Sequence, residues 1–374
     1  MNPAFEVVPG IAGISRRDWQ DVAPPDDPLW TWDCFAAMEA GGVGPDGFEY
    51  LVWRDERGAT AILPAFWFRA LPLHTAMEQP WRGRVEAIRR WLPGFLSIGT
   101  YFCGHPLGCG RVLRRAGVDA PSGSEVLAAV FRRARERRLA YPIFKDFSAA
   151  EIPVLFPQPG AHGFFAVDSL PEAVLSLAPG DFEDYLAKCK LKARRNIRSN
   201  LRKFAAAGLR LERLSQFGAL APRLHELYEE VFARAPVQFD HLTPRFFAEV
   251  AASPGLDPQV LACFAGDRLV GFLLCLFAGR GGVCLRVGFA AEEIERRSRL
   301  YFVVHYEAIR LALERGCHEL NFCQVSYPAK LEMGCVLMGR THLATHTNAL
   351  LRPVIRRFMP GLMSHPPAAG EIVS

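Results

Sequence analysis

Residues 188–204 read KCKLKARRNIRSNLRKF: eight of the seventeen are Lys or Arg and none is acidic, in a 374-residue chain whose formal net charge is only +5. Without this run the chain would be net negative. Cations at this density bind anions such as phosphate, pyrophosphate or nucleic acid. A solvated helix face normally mixes signs, because like charges at i, i+4 repel. Here no acid intervenes between Asp184 and Glu212. Arg195 and Arg198 are therefore candidates for contact with an anionic substrate, beside the plainer reading of a solvated outer face. A membrane surface fits less well, since the apolar side of the run carries no Trp.

Other polar residues stand where chemistry is feasible. In HELNFCQ (318–324), Asn321 and Gln324 close a strand-like run, and strand ends are where α/β sites form. Asn321 could equally satisfy backbone groups. Arg286, inside the apolar VCLRVGFA, either reaches a substrate carboxylate or faces solvent. Asp240 and His241 lie in a Pro-bounded loop placed to cover an acceptor. His305, in an apolar helix, reads as a core histidine. Glu332 beside Lys330 reads as an ion pair. HPLGCG (105–110) reads as a structural turn. No metal is expected: there is no CxxC pair, and His342 and His346, four apart, sit in Thr-rich sequence that suits a strand or turn.

These residues need a scaffold. Half the chain is hydrophobic and 22% is charged, as in a folded protein of about two domains. No apolar run approaches the roughly 20 residues of a membrane span. The start, MNPAFEVVPGIAG, lacks a basic and long apolar leader pattern, so the cytoplasm is the expected compartment. Two stretches share one order of elements. A hairpin over 48–68 turns on Asp55–Gly58, and one over 260–277 turns on Gly266-Asp267. Each is followed by a strand (95–102, 283–290), a helix (124–138, 299–315) and one more strand (141–147, 318–323). Ser122 or Ser124 caps the first helix; Ser298 and Gly316 bound the second. Between the halves a single helix over 181–207 is expected, starting at a capping box of Asp181 and Asp184 and ending at Gly208. Leu186, Cys189, Ala193, Ile197, Leu201 and Phe204 form its apolar stripe.

In this order the segments resemble the GNAT acyltransferase superfamily, in its BioF-like branch and the Fem-like group of peptidoglycan aminoacyl transferases. The resemblance rests on FEDYLAKCKLKARRNIRSNLRKF (182–204), LTPRFFAEV (242–250) and GCHELNFCQVSYPAKLEMG (316–334). It implies an α/β (α+β) fold of two tandem GNAT-like domains, 1–178 and 179–374, each a mixed, mostly antiparallel twisted sheet flanked by helices. The first domain is expected to be the degenerate copy. The implied reaction is N-acyl transfer from an acyl-CoA or acyl-carrier thioester to an amine, with acyl-CoA as co-substrate and no permanent cofactor. The alternatives are a Fem-like transfer from aminoacyl-tRNA, or a non-catalytic binding protein with this fold; DNA and an integral membrane are not expected partners. The resemblance makes Tyr327 the general acid, with Lys330 and Gln324 beside it. It gives backbone at Val287, Gly288 and Phe289, with Arg296, Arg297, Ser298 and Arg299, to the donor; Arg286, Asp240 and Asn321 stay candidates for substrate contact on the reading of the residues above. The stretch 292–302 departs from the family pattern in lacking glycine, where close backbone approach to a phosphate is easiest.

Overall fold

The computed structural model describes residues 5–76, 81–155, 163–234, 241–295, 298–363 and 372–373. The first half runs β1 (Phe5–Val8), α1 (Arg16–Gln20), α2 (Trp32–Gly41), β2 (Gly47–Asp55), β3 (Gly58–Pro72), α3 (Trp81–Arg89), β4 (Ser97–Cys103), β5 (Leu113–Arg114), α4 (Gly123–Glu136), β6 (Tyr141–Phe147), α5 (Ile152–Leu155) and β7 (Phe165–Ser176). The second runs α6 (Phe182–Lys188), α7 (Leu191–Ala206), β8 (Arg210–Leu214), α8 (Ala221–Phe232), α9 (Pro244–Ala252), β9 (Asp257–Ala265), β10 (Arg268–Ala278), β11 (Gly281–Phe289), α10 (Ala291–Glu295), α11 (Leu300–Glu314), β12 (Glu319–Asn321), α12 (Tyr327–Glu332), β13 (Val336–Ala344), α13 (Arg352–Met363) and β14 (Ile372–Val373).

The repeated order of elements is present. β2–β3–β4 and β9–β10–β11 are antiparallel meanders, and β4–β6 and β11–β12 are parallel pairs joined through α4 and α11. Both hairpins close through two-residue loops, and Gly266 supplies the left-handed conformation such a loop needs (φ 60°). α4 starts at a full capping box of Ser122 and Glu125.

The two halves share one sheet, ordered β1-β2-β3-β4-β6-β13-β7-β12-β11-β10-β9-β8. This order is symmetric about its centre, with the last strand of each half exchanged. β7 lies against β12 of the second half, and β13 lies against β6 of the first. The sequence pattern does not announce β7, whereas β13 includes Thr341 and His342 of the Thr-rich stretch that suits a strand or turn.

The seam carries buried charge. Arg340 Nη2 (β13) donates to Glu172 Oε2 (β7) at 2.8 Å, and Arg340 Nε lies 2.8 Å from Cys109 Sγ. In β6, Asp146 sits in the left-handed region (φ 57°). Its carboxylate takes Lys145 Nζ at 2.5 Å and the Ser169 hydroxyl, while its N–H donates to His342 Nδ1 at 3.1 Å. Burial alone would raise the Asp146 carboxyl, but the Lys145 charge and these hydrogen bonds hold it down at about 2.

Two expectations need correction. The basic helix is two helices: the capping box of Asp181 and Asp184 starts α6, but Cys189 and Lys190 are extended (ψ 145° and 144°) and α7 begins after them. Second, Ser298 does not cap α11. Arg299 holds that position at φ 67°, and the Ser298 hydroxyl donates to the Glu293 carbonyl.

Removing the guanidinium that joins the exchanged strands leaves Glu172 buried and unpaired. Arg340→Ala is expected to cost roughly 3–5 kcal/mol, read from urea unfolding; the double change Arg340→Met with Glu172→Leu should cost clearly less.

Candidate functional site

The centre of the second half is the edge between β11 and β12. β11 pairs with β10 along its length, Gly271 opposite Phe289 to Ala278 opposite Gly281. Its ladder with β12 covers only Gly281, Gly282 and Val283. Just past that point the register slips: Leu274 faces Arg286 and Cys275 faces Cys284, so Leu285 is an extra residue, a β-bulge. A bulge bends its strand and ends pairing nearby. The strand from Cys284 to Phe289 thus diverges from β12, and Val287, Gly288 and Phe289 lie on it. Gly288 is required there: a Cβ would come within 2.7 Å of the α8 backbone at Leu227 and Tyr228. Helix α8 therefore walls one face of this strand. In the first half, β4 stays paired with β6 to its last residue, Cys103. No equivalent divergence exists there.

Asn321, Gln324, Tyr327 and Lys330 come together, but their polar atoms are turned to backbone. Cys323, Val325 and Ser326 all have φ near +60° (56°, 61°, 55°), a conformation costly for side chains with Cβ. Lys330 Nζ is buried and donates to the carbonyls of Phe322, Cys323 and Gln324 at 2.5, 3.1 and 2.7 Å. Asn321 Oδ1 accepts from Cys323 N–H at 2.7 Å, Gln324 Nε2 donates to the Leu170 carbonyl at 2.7 Å, and the Tyr327 hydroxyl donates to the Pro171 carbonyl at 2.9 Å. In this structure the groups expected to be catalytic are engaged with backbone carbonyls. All three Lys330 protons are committed, which leaves none for a phosphate, and the Tyr327 proton is held by a carbonyl inside the protein. Together the four residues brace a strained turn, Lys330 and Asn321 from within and Gln324 and Tyr327 onto β7. Burial lowers Lys330 to about 8, so the ammonium form matched by three carbonyls still dominates at neutral pH.

Tyr301 was passed over in the sequence because it lies in a run of apolar helix residues. It stands in the first turn of α11, half-buried, with its ring against Phe289 of β11 (6.1 Å) and its hydroxyl facing Ser326 after β12. It bridges the two diverging strands. Burial raises its hydroxyl to about 12, so it stays protonated at neutral pH. His305, one turn on, has Nδ1 at 2.6 Å from the Tyr301 carbonyl and stacks on Phe322. Burial lowers it to about 4, the state of a neutral core histidine.

The remaining candidates are dispersed. Arg286 is half-buried, with Nη1 on the Leu285 carbonyl at 2.8 Å. Arg195 and Arg198 are exposed on α7, and Arg198 reaches Glu183 at 3.2 Å. Arg299 is half-buried, and its Nε, shut off from solvent, has no partner. Arg296, Arg297 and Asp240 lie outside the described residues. His105 is structural: Nδ1 accepts from Leu107 N–H and Nε2 meets the Leu29 carbonyl. Where the halves meet, Asp27 is raised to about 6, by burial first and by Glu172 and Glu319, against the pull of Arg111.

Residues 192–331 match the family model described as an acetyltransferase (GNAT) domain. Solved structures resemble nearly the whole chain. FemX is 11% identical with a TM-score of 0.54, over 92% of this chain and 98% of that one. A tandem GNAT protein from the clavulanic acid biosynthesis pathway is 12% identical with a TM-score of 0.50, over 92% and 99%. A conserved protein of unknown function from Bacteroides thetaiotaomicron is 11% identical with a TM-score of 0.55, over 92% and 99%. At these identities the likeness is one of fold. No curated protein matches the chain in sequence.

Two outcomes follow from the geometry. Lys330→Met strips three carbonyls of their donor and should lower stability by roughly 2–4 kcal/mol, measured by denaturant unfolding. His305→Phe should remove one proton from the uptake on unfolding. A histidine held near 4 in the fold, against about 6.5 unfolded, loses stability as pH falls below 6.5. Near pH 5 the slope of unfolding free energy should therefore be shallower by about 1.4 kcal/mol per pH unit in the variant.

Proposed function

We propose a reaction for this chain from the premise that it belongs to the GNAT superfamily, in its tandem, Fem-like branch: it is an N-acyltransferase that moves an acyl group from a thioester, acyl-CoA or acyl-carrier, to an amine. The divergence of β11 from β12 after the bulge carries this reading. A donor with an amide-bearing arm can lie along the freed edge as an added strand, held by main-chain hydrogen bonds. Backbone N–H at Val287–Phe289 then stands where the thioester oxygen becomes negative. The amine lone pair attacks the carbonyl carbon; the tetrahedral adduct collapses with loss of the C–S bond, and the electron pair leaves on sulfur. The nitrogen gives up one proton and the thiolate takes one. Tyr301, kept protonated by burial and placed between the two strands, is the residue we assign to the second transfer. The acidic surroundings of Asp27 and Glu319 where the halves meet suit an acceptor that arrives as an ammonium ion.

A second reading rests on α7. Lys192, Arg195, Arg198, Arg202 and Lys203 are all exposed on it, a face that suits the phosphates of an aminoacyl-tRNA donor. Salt separates the two: many phosphate contacts give a steep fall of affinity with salt, and one pyrophosphate gives a shallow one.

Native mass spectrometry of freshly purified protein should show a bound CoA species. With the acyl-CoA so identified, Tyr301→Phe should lower kcat by about a hundredfold or more and leave KM nearly unchanged. An unchanged kcat would remove Tyr301 from the mechanism. The triple reversal Lys192→Glu, Arg195→Glu and Arg198→Glu should raise the KM for the thioester and leave kcat nearly unchanged; loss of tRNA binding together with turnover would favour the second reading.

A further inference from the structure

We propose that His225, Glu229 and His241 form a site for one first-row divalent cation of the zinc class. His225 and Glu229 are one turn apart on α8, and His241 lies just before α9. His225 Nε2 and His241 Nε2 lie 3.3 and 2.6 Å from the same atom, Glu229 Oε1. All three ligand atoms fall within 4.8 Å of one another. An ion with bonds of about 2.0–2.1 Å sets tetrahedral ligands about 3.3 Å apart, so small side-chain movements give the three a common centre.

The carboxylate oxygen points to a missing ligand. Glu229 Oε1 is shut off from solvent and accepts no well-formed hydrogen bond, although two imidazole nitrogens face it. A desolvated acceptor without a well-formed hydrogen bond is unfavourable, and a cation between the three groups satisfies it. His225 Nε2 also lies 3.1 Å from the Leu242 carbonyl. Without the ion, Nε2–H donates to that carbonyl. On binding, the ring changes tautomer: the Nε2 proton is released, Nδ1 takes one up from solvent, and the Nε2 lone pair turns to the cation. The rings of Phe232 and Tyr228 flank His241 at 5.2 and 6.3 Å and limit its rotation. Two imidazoles and one carboxylate select zinc, cobalt, nickel or copper over magnesium and calcium, which prefer oxygen ligands alone.

The ion would fix α8 to the start of α9. That matters because α8 is the wall against Gly288, and Glu230, next to the ligand, accepts from Ala291 N–H at 2.7 Å, just past the end of β11. The role is therefore positional.

The test uses the full chain stripped with chelator, titrated with ZnCl2 by calorimetry and followed by thermal unfolding. One equivalent should bind and raise Tm, MgCl2 should do neither, and Glu229→Gln and His241→Ala should each weaken zinc binding at least about tenfold. His318→Ala, an exposed histidine elsewhere, should bind as wild type. Ten cysteines offer competing thiolates, so CoCl2 is added to the same protein; the proposal predicts a cobalt spectrum without thiolate charge transfer. Absence of saturable zinc binding, unchanged affinity in both ligand variants, or a thiolate band would each overturn it.

Discussion

The architecture depends on the exchange of β7 and β13 across the centre of the sheet. A GNAT-like half that kept its own last strand would be closed, with no reason to sit at a fixed angle to its neighbour. Here each half completes the other, and the seam is held by groups that tolerate no separation. Arg340 and Glu172 are buried as a pair, and Asp146 ties Lys145, Ser169 and His342 across three strands. Such groups are worth little when paired and costly when parted. They therefore do more to specify register than to add stability. A slip of one residue would turn Glu172 to the opposite face and leave Arg340 in the core alone.

The seam also accounts for the braced turn after β12. β7 pairs with β12 for three residues and then runs on beside β13. The chain leaving β12 must turn sharply to reach α12, and three non-glycine residues take left-handed conformations to do so. Gln324 and Tyr327 hold that turn to β7, while Lys330 and Asn321 tie its own backbone. Their cluster has the look of a catalytic constellation because structural bracing and catalysis use the same groups. Which use applies is decided by where the donors point.

Much of this was legible in the sequence. Hydrophobic alternation and turn residues identify both hairpins, the parallel partners and the α4 cap, since these are local patterns. The exchange was not legible. β7 contains Asp168, Ser169, Glu172 and Pro171, which break strand alternation, and its charges make sense only against Arg340 and Asp146 from distant segments. The break at Cys189–Lys190 was hidden for the opposite reason: the apolar stripe continues across it, with Leu186 on one side and Ile197 on the other both buried. Tyr301 was masked by its apolar neighbours, and the His225–Glu229–His241 group by the distance of its third member along the chain.

The basic run now has a definite position relative to the diverging strand. α7 packs on α11, where Asn200 Nδ2 donates to the Tyr306 hydroxyl at 3.0 Å. α11 is the helix that follows β11, and its first turn carries Tyr301. On the proposed reading a donor with its reactive carbonyl on β11 extends its other end past the start of α11, and α7 meets that helix further along, at Tyr306. On the proposed reading the cations therefore serve the remote, phosphate-bearing end of the donor rather than the reacting atoms. Binding energy gained there is the same in ground and transition states, so neutralising α7 should act on donor affinity, whereas changes at Tyr301 act on the chemical step.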